Sequence, residues 1–208
     1  MTPGAKPLLL PLTCKSCGRD LAGGGGALVY ACLECGEATH MSDPDKAYPL
    51  VYVRPSPSFS GQPVYAPFWR LTGRVSLTVE SDPKRSVYHR LKPLGPLYFP
   101  AFWSPQAAYH DNLTVRLALA QDRIELERRS DPLLDGIRDP SVLSAMARLT
   151  WLGYLDRFSD VTGVELDYQA ESVTYCAMPY FRQGGFFFDG VLGVQVPPKL
   201  FAGSGLRS

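Results

Sequence analysis

Apolar residues in this chain alternate with polar ones more often than they recur at helical spacing. Val75, Leu77 and Val79 alternate within 73–80, as on a strand with one face buried. Val164, Leu166 and Tyr168 repeat the pattern. Other runs are almost continuously apolar: 64–71, 97–103 and 173–177. β-branched and aromatic residues dominate them, which again favours strands. Residues 48–53 read as a strand entering the same domain. Asp189-Gly190 separates two apolar runs within 186–196 and predicts a hairpin closed by a two-residue type I′ turn.

Helical spacing is clearest after Asp139-Pro140. Asp is a good N-cap, and proline at the first helical position gives up no hydrogen bond. Val142, Met146, Leu149, Leu152 and Leu155 follow at three- and four-residue intervals. They predict a helix ending near Phe158 with that face inward. Residues 107–128 carry both signals: Leu113, Val115, Leu117 and Leu119 alternate, but good helix formers dominate. A helix over 107–120 and a short strand over 124–127 are expected.

Proline and glycine, 19 residues each, exceed their usual shares and punctuate the chain rather than repeat. Asp43-Pro44-Asp45 and 81–85 read as turns, and 54–63 as an exposed proline- and serine-rich loop. This suits many short strands more than a helix bundle. Leu8-Leu-Leu10 lies between Pro7 and Pro11 and is too short for the apolar part of a signal peptide. No stretch approaches the ~20 apolar residues of a membrane span. A cytoplasmic protein is expected.

Four of the five cysteines form two matched pairs, Cys14-Lys-Ser-Cys17-Gly18 and Cys32-Leu-Glu-Cys35-Gly36. A Cys-x-x-Cys turn sets two thiolates on one side of a tight loop. A second such turn, brought across by a hairpin, completes a tetrahedron of sulfurs, which Zn²⁺ prefers. The glycine after each pair can take the positive φ that a sharp turn requires. Free thiolates of this kind belong to a reducing compartment. His40 lies just beyond the second pair, but four cysteines already close a structural site. Residues 23–26 are four glycines. They lack the Gly-Lys-Ser/Thr ending of a phosphate-cradling loop and read as a flexible turn feeding a strand at 27–31.

Residues 14–36 resemble a zinc ribbon, the rubredoxin-like fold of two Cys-x-x-Cys-Gly knuckles. Together with Tyr65-Ala-Pro-Phe-Trp69, the chain is similar to uncharacterised bacterial zinc-ribbon proteins of unknown function. The ribbon implies metal binding and recognition of a macromolecule, and no particular reaction. The expected architecture is α+β. It comprises a zinc ribbon with a loose leader over 1–40, a linker over 41–63, and over 64–208 a mostly antiparallel β domain with one or two helices.

An aromatic–proline element recurs around Pro67, Pro100 and Pro179. Each proline removes a ladder donor, so each belongs at an edge, a strand end or a bulge. Tyr65, Phe68, Trp69, Tyr98, Phe102, Trp103 and Tyr180 then have two readings. They form an aromatic surface for a protein partner, or they are core side chains near strand ends. Formal charge is only +1, from 21 basic and 20 acidic residues, which argues against broad phosphate tracking. Lys84, Arg85, His89, Arg90 and Lys92 form a local basic cluster, with Lys15 and Arg19 in the first knuckle. Nucleic-acid binding is therefore an alternative, but not the favoured one. A Cys₄ iron site carrying electrons is a second alternative. His110-Asp111 is an adjacent acid–base pair, and Cys176 reads as a buried small hydrophobe. No catalytic motif is present. The sequence thus points to a non-catalytic, zinc-binding interaction or assembly module.

Overall fold

The computed structural model describes residues 12–24, 26–79, 82–102, 107–197 and 201. The leader and the end of the C-terminal tail lie outside them. The described chain is predominantly β, with three helices. Strands β1 (Val29–Cys32), β2 (Glu37–His40) and β3 (Asp43–Val53) form an antiparallel N-terminal sheet. The order continues through β7 (Val164–Gln183) and β4 (Val64–Val79) to β5 (Leu97–Pro100). Most neighbours are antiparallel, but β3 and β7 run parallel. β6 (Leu126–Glu127) pairs with β3, while β8 (Phe186–Asp189) pairs with β7 and β9 (Gln195–Val196).

β3 crosses the segment read as a linker. Its first part, from Asp43 to Pro49, pairs with β2 and its end, from Leu50, with β7. Tyr48, Leu50, Tyr52 and Val53 are buried there. The loop after it is pinned too: Ser56 N donates to Gly190 O at 2.7 Å, and Phe59 stacks on Phe181 at 4.9 Å.

Two pairs of expected strands fuse into two long ones. The runs 64–71 and 73–80 are the single 16-residue β4, and 164–168 and 173–177 belong to the 20-residue β7. They pair along their whole common length, with one irregularity. Thr72 faces Ser172 while Gly73 faces Ala170, which leaves Glu171 as the extra residue of a bulge. A Cβ on Gly73 would lie 2.4 Å from Gln169 O, so the strands approach closely only because the side chain is missing.

The near end of this long pair is covered on both faces. Tyr65, Trp69, Leu71, Phe99, Tyr175 and Ala177 face one apolar cluster, which also takes Val29, Ala31 and Ala38 of the N-terminal sheet. Ala66, Phe68, Tyr98, Cys176, Met178 and Tyr180 face the other, with Phe102, Phe187 and Phe201. Burial on both faces explains the unbroken apolar run. Beyond the bulge one face is exposed, and alternation returns.

Helix α1 (Asp82–Tyr88) occupies the stretch read as a turn, and α2 (Ala107–Leu119) matches the expected helix. Asp139 caps as expected, accepting from Ser141 N at 2.8 Å, and a 3₁₀ turn at Pro140–Val142 leads into α3 (Leu143–Asp156). The buried face of α3 is rotated from the predicted one: Leu155 is buried and Met146 and Leu152 pack partly buried against the core, but Val142 and Leu149 are exposed. Leu143, Ala147, Trp151, Tyr154 and Leu155 face inward, while Leu149 is 69% exposed. α3 is apolar on more than one side, and the large rings of Trp151 and Tyr154 decide which side packs.

The expected type I′ turn is also displaced. Gly184 (φ 57°) and Gly185 (φ 85°) close β7 onto β8 in two residues, where both central positions need positive φ. Asp189 instead begins a longer connection to β9. Its carboxylate is fully buried and accepts from Val191 N, Leu192 N and Val194 N at 3.1, 2.6 and 2.7 Å.

Candidate metal centre

The two knuckles have the same local construction. Gly18 N donates to Cys14 O at 2.8 Å, and Gly36 N donates to Cys32 O at 3.0 Å. Gly18 (φ 71°) and Gly36 (φ 74°) both take the left-handed conformation that the turn demands. β1 and β2 place the second knuckle opposite the first, and a bridge between Ala22 and Ala31 draws the first knuckle in.

The sulfurs of Cys14, Cys17, Cys32 and Cys35 all lie within 4.8 Å of one another. Cys14 and Cys35 approach to 3.4 Å across the knuckles, as do Cys17 and Cys32. None is in a disulfide. The edges of a tetrahedron of sulfurs around Zn²⁺ would be about 3.8 Å, so the set fits such an ion. Cys14 and Cys32 are buried, while Cys17 and Cys35 lie at the surface.

The electrostatics favour a cation as well. Burial works against ionising Cys32, but the backbone N–H of Cys35 and the thiols of Cys17 and Cys35 outweigh it and bring Cys32 down to about 7. Burial and the three surrounding thiols push Cys35 up. Once one of the four thiols is ionised it opposes ionisation of its neighbours, and a divalent cation removes that opposition.

The site is tied to the rest of the protein. Leu28 N and Val29 N both donate to Gly136 O, at 2.8 and 2.9 Å, and Gly24 N donates to Asp135 Oδ1 at 2.7 Å. Ser130 Oγ donates to Leu33 O at 2.8 Å, and Lys15 pairs with Asp45. His40 is no ligand. It is 3% exposed and its Nδ1 meets Ser42 Oγ at 2.6 Å.

The aromatic surface expected for a partner does not form. Tyr65, Phe68, Trp69, Tyr98, Phe102 and Tyr180 are each at most 2% exposed, and Trp103 lies outside the described residues. The segments do meet, since β4 pairs with both β5 and β7. Pro100 ends β5 and Pro67 lies one position past the β5 ladder, whereas Pro67 and Pro179 both lie within the β4–β7 register, opposite Ala177 and Tyr65. But loops and helices cover both faces there, so the rings pack inward. Trp69 lies between Tyr48 and Tyr175, at 4.9 and 4.8 Å, and donates to Arg138 O at 2.8 Å.

The basic cluster is partly engaged in structure. Lys84 pairs with Asp160, Arg85 donates to Val79 O, and Lys92 donates to Leu119 O. The side chains of His110 and Asp111 lie outside the described ones. Cys176 is fully buried, and burial pushes its thiol up to about 12, so it is an inert part of the core. Asp135 and the buried carboxylate of Asp189 were missed by sequence reading. The Asp-Gly signal at 189–190 marked a chain reversal, but not that the carboxylate itself would hold the following amides. Among the described residues, no helix is long and apolar enough to cross a membrane. No family model, no curated protein and no solved structure matches the chain.

Proposed function

We propose that the four cysteines hold one Zn²⁺ and that the protein is a non-catalytic interaction or assembly module organised around that ion. The convergence of four protein sulfurs carries this reading. Four protein ligands close a tetrahedral site and leave no position for a substrate, which is the signature of a structural ion. Zinc, when bound, supplies folding energy to a segment with little core of its own. With the central aromatics buried, the knuckle loops are the partner-facing surface in this proposal. Residues 15–19 and 34–35 are exposed around the sulfurs.

Elemental analysis of protein purified without added metal tests the ion. About one equivalent of zinc per chain in a colourless sample is expected. A red protein with stoichiometric iron would favour the electron-carrier reading, and less than about half an equivalent of either metal would remove the site. Pull-down from the cell extract of its own source, with and without nuclease, tests the partner. A protein retained after nuclease and lost in a Lys15→Glu/Arg19→Glu variant supports the module. Capture that vanishes with nuclease would replace it with nucleic-acid binding.

A further inference from the structure

A cavity of about 130 Å³ lies where the N-terminal sheet meets the main one. Val29 and Ala31 wall it from β1, Leu133 from the segment opposite, and Tyr175 from β7. Asp135 supplies its one charge. That carboxylate accepts from Gly24 N and has no Lys or Arg partner among the described residues. The Tyr175 ring is 1% exposed, its hydroxyl lies against Gly136, and no hydrogen bond to it is found among the described residues. Burial first, and then the nearby Asp135 charge, keep that phenol protonated.

Two kinds of occupant are disfavoured by this lining. A bare divalent ion needs more oxygen ligands than one carboxylate and one phenol provide. An anion would meet Asp135. An ammonium head on a short alkyl tail matches both parts of the lining. The head faces the unpaired carboxylate, the phenol oxygen accepts one of its N–H groups, and the tail covers apolar wall.

We propose that this cavity binds a small primary alkylammonium ion, seated on Asp135 and Tyr175 and bridging the metal-bearing sheet to the main one. n-Butylammonium chloride is the probe, titrated calorimetrically into the full metal-loaded chain at fixed ionic strength. Saturable binding in the millimolar range is expected. n-Butanol should bind at least about tenfold more weakly, and sodium butyrate not at all. Asp135→Asn keeps an acceptor for Gly24 N but removes the charge, and should weaken butylammonium by about tenfold or more. Tyr175→Phe should weaken it by a smaller factor. Equal affinity for butanol and butylammonium, unchanged affinity in Asp135→Asn, or no saturable heat up to about 100 mM would each overturn the site. The butanol comparison uses the unaltered protein, so it decides the matter even if the variants fail to fold.

Discussion

The knuckles and the centre of the sheet are both strongly patterned, and they differ in where the pattern is satisfied. In each knuckle, two cysteines and a glycine within five residues fix the turn, its hydrogen bond and the direction of two sulfurs. Around Trp69 the partners come from β3, β7 and the segment before α3, far apart in the chain. A local constraint survives almost any surroundings. An aromatic run is equally compatible with a binding surface and a core until something does or does not cover it. The two regions also meet, because Val29, Ala31 and Ala38 share one apolar cluster with Trp69 and Tyr175.

The largest effect should come from the metal site. Apparent binding energies of structural zinc are on the order of 10–16 kcal/mol in small peptides. Chelation, or Cys32→Ser, should therefore unravel the knuckles. The shared cluster leads us to expect a single, much lower calorimetric transition rather than a lost ribbon above an intact body. Two resolved transitions would instead show that the ribbon folds as its own unit, as the composition of 41–63 suggests.

Trp69→Ala comes next. Removing a fully buried ring from between Tyr48 and Tyr175 should cost about 3–5 kcal/mol by denaturant titration. The metal stoichiometry should not change. A loss under about 1 kcal/mol with weakened partner capture would return Trp69 to a binding role.

Asp189→Ala separates polar bracing from apolar packing. Three backbone amides lose their acceptor, for about 3 kcal/mol in all. Asp189→Asn, which can still accept, should cost less. Equal costs for the two substitutions would mean that shape rather than hydrogen bonding matters there.

The smallest expected effect lies at the joint between the regions. Burial holds the His40 imidazole below its ordinary value, against the pull of Asp139. The unfolded chain then takes up a proton at higher pH than the folded one. The stability due to neutral His40 is complete above pH about 6.5 and is lost as pH falls from there towards the depressed native value. The wild type should lose stability faster than His40→Gln over that interval. Parallel pH profiles would show the imidazole to be electrostatically silent.

Much of the site was legible from sequence because its determinants are local. The cysteine spacing and the two glycines specify the knuckles, and Gly18 and Gly36 adopt the positive φ that their positions require. Asp139-Pro140 likewise marks its helix start, since a cap acts within a few residues. The alternation of 73–79 and 164–168 announced strands with one covered face. Tertiary structure alone decided the rest. It joined 64–79 into one strand past the Glu171 bulge opposite Gly73, which depends on a partner a hundred residues away. It chose the face of α3 through Trp151 and Tyr154, where an apolar count gave no single answer. It placed the chain reversal at Gly184-Gly185 and turned Asp189 inward. It also buried the aromatic–proline segments by covering the sheet on both faces. Burial is a property of what lies opposite, and a one-dimensional pattern records only which residues can tolerate it.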